Sequence, residues 1–180
     1  PVLIAVLLLV LLLWLTRTPY ATYFEGAQFV HFLLGPATVA LAIPLYEQRE
    51  QLARLALPLA AGLVAGVLTA VGSAVGIAWL LGASRETLLS LAPKSVTTPI
   101  AMGIAEKIGG LPSLTAVLVI LTGMTGAIVA RPLLDLLRVQ TPATRGFALG
   151  VASHGIGTAR AFQVSEEMGA FAGLAMGLTA

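Results

Sequence analysis

Two short stretches hold most of the residues able to do chemistry in a chain that is otherwise apolar. "LGVASHGIGTAR", Leu149–Arg160, places Ser153, His154, Thr158 and Arg160 among glycines. "LAPKSVTTPIA", Leu91–Ala101, sets Lys94, Ser95, Thr97 and Thr98 between Pro93 and Pro99. A third stretch, "LLGPATVALAIP", Leu33–Pro44, carries Thr38 between Gly35-Pro36 and Pro44. Each reads as an interrupted helix. An interruption frees backbone N–H and C=O groups, and the N-terminal end of a half-helix is electropositive and takes anions. Hydroxyls supply orientable hydrogen bonds, and Lys94 and Arg160 supply positive charge. This combination suits a small carboxylate. A metal cation would need acidic oxygens, which these breaks lack, so no metal and no cofactor are expected.

Each candidate has a plainer reading. Lys94 either contacts the anion or snorkels from a shallow loop tip to lipid phosphate. His154 either carries a coupled proton, since imidazole titrates near neutrality, or hydrogen-bonds a freed carbonyl. Arg160 either serves the anion or sits at the interface paired with Glu166 or Glu167. His31 lies on an apolar stretch and reads as structural, and Glu106 with Lys107 reads as a solvated pair. Ser and Thr in helices often bond back to their own turn, so no single hydroxyl is diagnostic.

The elements that must position these residues are those of a membrane protein. Of 180 residues, 58% are hydrophobic and 10% charged, against about 25% charged in soluble domains. Pro1–Thr16, Leu55–Ser84 and Ile108–Ala130 contain no ionisable residue, and the last two exceed the roughly 20 residues needed to span a bilayer core. The pattern predicts a membrane helix at Pro1–Thr16, a polar link at Arg17–Glu25 and a broken segment at Gly26–Tyr46. A charged loop at Glu47–Arg54 and a long helix over about Leu55–Leu81 follow. Glu86–Lys107 is a second broken segment, Leu111–Ala130 a smooth helix ending at Arg131-Pro132, and Gly146–Gln163 a third broken segment. A final helix begins near Gly169. Glycines at four-residue spacing in "GLVAG" and "GSAVG" suit close helix packing in lipid. The chain opens on Pro1 and stops within an apolar run, so a longer chain is expected.

"PVLIAVLLLV" at Pro1 is similar to "PSLTAVLVIL" at Pro112, and "FLLG" at Phe32 to "FALG" at Phe147. The expected architecture is therefore all-α: one polytopic transmembrane bundle over 1–180, with repeat one at about 1–82 and repeat two at about 112–180. The broken segment 86–107 lies between them. A weaker match pairs "LGPATVALAIP" with "LAPKSVTTPIA". Cytoplasmic placement of Arg131, Arg138 and Arg145, together with Arg49 and Arg54, makes the two repeats inverted, provided that Glu86–Lys107 dips in and returns on one side. Arg85 and Lys107 then lie outside, against the rule. Inverted repeats with discontinuous or re-entrant helices are a transporter design.

Other classes fit less well. The net charge of +2 is too small and dispersed for nucleic acid, and the absence of cysteine removes disulfides and thiol chemistry. Val2–Leu15 lacks the basic start and cleavage site of a signal peptide. "GIGTAR" has Arg160 where a nucleotide-binding loop needs glycine, and no strand precedes it. Ser153-His154 lacks carboxylate support for a hydrolase triad. No enzymatic activity is expected.

The quoted segments "FLLGPATVALAIPLYEQRE", "LAPKSVTTPIAMGIAEKIGGLPSLTAV" and "LGVASHGIGTARAFQ", followed by "GAFAGLAMGL", resemble the LrgB/CidB membrane protein family along essentially the whole chain. The resemblance implies a multi-pass protein of the bacterial inner membrane, homo-oligomeric or paired with a small LrgA/CidA-type subunit. It implies one of two roles: antiholin-like control of murein hydrolases and autolysis, or, as in plastid relatives, transport of glycolate and glycerate. Some bacterial pairs are associated with pyruvate uptake. Joined to the residue reading, it gives a secondary transporter of pyruvate, lactate, glycolate or glycerate, proton-coupled through His154.

Overall fold

The computed structural model describes residues 2–40 and 42–179, without the side chains of 2, 3, 30, 31, 34, 35, 37 and 38. The described residues form nine helices and no strand: α1 (Val2–Thr16), α2 (Tyr20–Ala40), α3 (Ala42–Glu47), α4 (Arg49–Leu80), α5 (Arg85–Leu91), α6 (Thr98–Ile108), α7 (Pro112–Leu136), α8 (Pro142–Phe162) and α9 (Glu166–Leu178). They fall into two compact units, Pro1–Ile43 and Pro44–Ala180. The expectations on Thr38 and His31 rest on side chains outside the described residues.

In the first unit α1 is apolar on every face, with Leu7, Leu8, Trp14 and Leu15 all exposed. The polar link expected at Arg17–Glu25 is short, because α2 starts at Tyr20, where Tyr20 stacks on Phe24. The break expected at Gly35-Pro36 is absent, and α2 runs through Pro36. α4 likewise runs through Pro58 and α7 through Pro132. A proline inside a helix removes one backbone bond, and long apolar helices tolerate this because the flanking turns hold the axis. The expected loop Glu47–Arg54 is also mostly helix, since α4 begins at Arg49. α2 is unbroken, whereas its counterpart by sequence similarity, α8, is not.

α4 and α7 are long and apolar enough to cross a membrane. At 1.5 Å per residue they span about 48 and 37 Å, against a hydrocarbon core of about 30 Å. Their exposed residues are large and apolar, including Leu57, Leu68, Leu80, Leu121 and Ile128. They run antiparallel: the start of α4, at Leu55 and Leu59, packs on Ala143 and Phe147 just beyond the end of α7, while its end leads back to the α5–α6 segment beside the start of α7.

α5 starts at Ser84, whose side chain accepts from the Thr87 amide, and α6 ends at Gly109, where φ is +88° and only glycine is comfortable. Ser90, fully buried, ties the entry of this segment to its exit. Its Oγ accepts from the Leu111 N–H at 2.7 Å and donates to the Glu86 carbonyl at 2.7 Å. Thr115 Oγ1 donates to the Ser90 carbonyl at 3.0 Å. Residues 85–108 therefore form a hairpin that starts and ends beside Leu111. Ser90→Ala removes the partner of the part-buried Leu111 N–H and should cost about 0.5–1.5 kcal/mol, read as a lower thermal midpoint of the purified protein.

α8 is a second hairpin. Its helical path is broken at Ser153 (φ −134°, ψ 17°) and His154 (φ 41°, ψ −137°). A straight 21-residue helix would hold its ends about 30 Å apart, yet Arg145 and Arg160 line one small cavity. Leu149, Ala161 and Met168 share one buried cluster. Arm 142–152 runs parallel to α9, with Gly146 against Met168 and Gly150 against Ala172, and arm 155–162 runs antiparallel, with Phe162 against Gly169 and Thr158 against Met176. A Cβ at Gly146 or Gly150 would run into a carbonyl oxygen of α9, at Met168 or Ala172, so backbones meet where side chains usually stand. Lipid offers apolar surfaces no hydrophobic gain, and such small-residue contacts supply the packing energy instead. α9 starts earlier than expected, capped by Ser165 Oγ on the Met168 N–H at 3.1 Å, with Glu166 and Glu167 in its first turn.

Candidate functional site

The two hairpins approach α7 from opposite ends. The first passes Gly110 and Leu111 at the start of α7, and the second passes Arg131 and Asp135 near its end. Their tips reach the same middle stretch, Val119–Gly126, about 10–20 Å from the start of the helix. An open, shallow cavity of about 390 Å³ lies there, lined by Lys94 from the first tip, Ala152 and Ser153 from the second, and Leu118, Leu121, Thr122, Thr125 and Gly126 from α7.

Three features of α7 make room for the second tip. A Cβ at Gly126 would overlap Ser153 Oγ, and one at Gly123 would stand 2.8 Å from the His154 ring. Val119 offers its carbonyl to His154 Nε2 at 2.9 Å. A carbonyl only accepts, so Nε2 carries the proton. His154 is 4% exposed and is not among the cavity's lining residues. Its φ of +41° costs about 1–3 kcal/mol in a non-glycine residue, which the bond to α7 helps to offset. Thr158 Oγ1 donates to the His154 carbonyl at 2.9 Å, closing the turn from the other side.

Ser153 differs. Its side chain is buried at 1% exposure, yet its Oγ has no hydrogen-bond partner among the described residues. An orphaned buried hydroxyl costs about 1–3 kcal/mol. Lys94 lies across the same cavity, half-buried, with Ser95 Oγ at 3.3 Å as its hydrogen-bond partner. No carboxylate pairs with it among the described residues. The second helix of each hairpin begins at its tip: α6 at Thr98, whose N-cap Thr97 makes no side-chain cap bond, and the second arm of α8 after His154. Both run away from the middle of α7, so both positive helix ends point to it.

Of the residues picked from sequence, Lys94 and Ser153 therefore share the cavity. Ser95 holds Lys94, and Thr97 and Thr98 form the start of α6. Thr158 and His154 build the tip instead of lining the cavity. Arg160 is displaced: it donates to Gln163 Oε1 at 3.0 Å and lines a separate cavity with Arg131 and Arg145, on the far side of the hairpin arm. Its suggested partner Glu167 accepts from Gln51 of α4 at 3.1 Å instead. The reason is the fold-back, since six residues of helix carry Arg160 about 9 Å from the tip. Thr122 and Thr125 were missed. They stand three apart in "TGMTG", on one face of a helix that reads as smooth; the polar pair and flanking glycines were the available signal.

Ser153→Ala should leave the fold as stable or more stable, because the lost hydroxyl is unpaired. A melting curve of the purified variant beside that of the parent measures this.

The architecture is that of a helical membrane protein in which two opposed hairpins meet beside a long apolar helix. The pattern of the LrgB-like family matches residues 1–180, and the chain belongs to that family. It is 39% identical over 180 residues to the uncharacterized protein YwbG of Bacillus subtilis, covering 100% of this chain and 80% of that one. It is 37% identical over 166 residues to the uncharacterized protein YxaC of the same organism, covering 92% and 72%. An uncharacterized protein of Haemophilus influenzae is 34% identical over 173 residues, covering 96% and 75%. No solved structure matches the chain.

Proposed function

We propose that the chain is a secondary transporter of small monocarboxylates such as pyruvate, lactate, glycolate or glycerate, embedded as a multi-pass protein in a bacterial inner membrane. One observation carries this reading: Lys94, whose ammonium has no carboxylate partner among the described residues, and Ser153, whose buried hydroxyl has no hydrogen-bond partner among them, both line one open cavity halfway along α7. A charged lysine at that depth costs at least about 2.5–3.5 kcal/mol on insertion scales and so needs a partner or a task. A carboxylate would pair with Lys94 and accept from Ser153, with Thr122 or Thr125 holding a keto or hydroxyl oxygen. The positive ends of α6 and the second arm of α8 would add to the attraction. In alternating access one hairpin would rock against α4 and α7. The apolar cavity of about 400 Å³ between α4 and arm 142–152 leaves room for that shift. Proton coupling through His154 would require its ring to leave Val119.

Arg49, Arg54, Arg131, Arg138, Arg145 and Arg160 would face the cytoplasm, and Arg85 and Lys107 the outside. Uptake of labelled pyruvate and glycolate into proteoliposomes of the purified chain tests the proposal. Saturable uptake of either is expected. None with the chain alone or with an LrgA/CidA-type subunit rejects it. A second reading, an antiholin-like regulator of murein hydrolases, is favoured by Gly72 and Gly76, which a Cβ would leave free of contact on α4. An open glycine face suits a partner helix, and Gly72→Leu with Gly76→Leu would then change autolysis without changing uptake.

A further inference from the structure

The base of the second hairpin holds a cluster that the central cavity does not use. Arg145 donates from Nη1 to Asp135 Oδ1 at 2.7 Å, and Arg131 Nε stands 3.9 Å from the other oxygen, Oδ2. Arg160, on the returning arm, faces the same small cavity. Asp135 is the only carboxylate paired with this group among the described residues, so three guanidiniums are balanced by one negative charge. Arg160 spends one nitrogen on the neutral Gln163. The rest of the lining is apolar: Ala127, Ala130, Leu134, Leu149, Val164 and Met168. Exposed Leu133, Leu136, Leu137 and Val164 stand at the same end. Arg131 is about 28 Å along α7, near where a hydrocarbon core of about 30 Å gives way to headgroups.

We propose that this base is a binding site for an anionic phosphate group, that of an acidic phospholipid. Guanidiniums match phosphate oxygens in pairs, and basic pockets between membrane helices suit lipid headgroups. The apolar lining and the exposed leucines beside it suit acyl chains, which a free phosphate ion would leave unused. The three arginines come from α7 and from both arms of α8, so a bound phosphate bridges the hairpin to the helix it leans on. This does not depend on the transport reading.

The test uses the full chain in detergent, with phosphatidylglycerol, phosphatidylcholine and inorganic phosphate as separate probes. Native mass spectrometry should show phosphatidylglycerol retained over phosphatidylcholine by about fivefold to thirtyfold. Arg131→Gln with Arg160→Gln should abolish the preference, while Arg131→Lys with Arg160→Lys keeps most of it. Arg85→Gln with Lys107→Gln, at the opposite end, should leave it intact. Arg145 is left in place because its bond to Asp135 supports the fold. Thermal stabilisation by inorganic phosphate alone, lost in the glutamine pair, would retain the phosphate site but assign it to a soluble source. The proposal is overturned if neither probe distinguishes the glutamine pair from the parent, or if the opposite-end pair loses the preference equally.

Discussion

Lys94→Ala is expected to lower uptake of pyruvate or glycolate by roughly ten- to a hundredfold, the loss that follows from a charge-assisted hydrogen bond of about 1.5–3 kcal/mol. The fold should survive. The Lys94 ammonium makes one hydrogen bond, to Ser95 Oγ at 3.3 Å, and no ion pair among the described residues. Removing a charge from mid-membrane depth also relieves its insertion cost. Lys94→Arg should restore part of the uptake, because the charge returns on a longer, forked group that fits one oxygen pair less freely. A lysine that merely reached lipid phosphate would give a different result: alanine would leave the dependence on substrate concentration unchanged. Correctly inserted Lys94→Ala protein that transports normally would remove the carboxylate from this cavity.

Gly150→Ala should be among the more damaging single methyls at the described glycines. The new Cβ would overlap the Ala172 carbonyl oxygen and stand 2.8 Å from the Ala175 Cβ. A flexible side chain could turn aside, but the backbone of α9 cannot, so the arm and α9 must separate. Overpacking of this kind costs about 1–3 kcal/mol, occasionally more. The second tip hangs from this arm, so Ser153 and His154 should shift as well, and uptake should fall along with the thermal midpoint. Gly76→Ala is the control, because its Cβ would meet nothing within 4 Å. Equal thermal midpoints for the two variants would contradict the packing described here.

The helical class and the apolar spans α4 and α7 were legible from composition and charge-free windows, because crossing a hydrocarbon layer imposes length and apolarity on local sequence; the LrgB-like membership was legible only through the resemblance of the three quoted motifs. Lys94 and Ser153 were also legible, as polar residues where glycine or proline interrupts apolar runs. Proline alone was a poor guide. Pro36, Pro58 and Pro132 sit inside helices, while the sharp turn of α8 falls at Ser153-His154, where there is no proline. A missing amide costs one bond that neighbours can replace, whereas α8 turns because α7 offers a carbonyl at Val119 and space at Gly123 and Gly126.

By itself, then, the sequence determined that this chain is helical, that two of its described helices are long and apolar enough to cross a membrane, and which polar residues lie in interrupted stretches, since each depends on neighbours along the chain. Only the tertiary structure decided which of those residues meet. It brought Lys94 and Ser153 together from hairpins entering at opposite ends of α7, added Thr122 and Thr125, and carried Arg160 away to the hairpin base. That sorting depends on the direction in which each half-helix leaves its turn. The direction is set by backbone contacts between segments far apart in sequence, such as Gly146 with Met168 and Ser90 with Leu111.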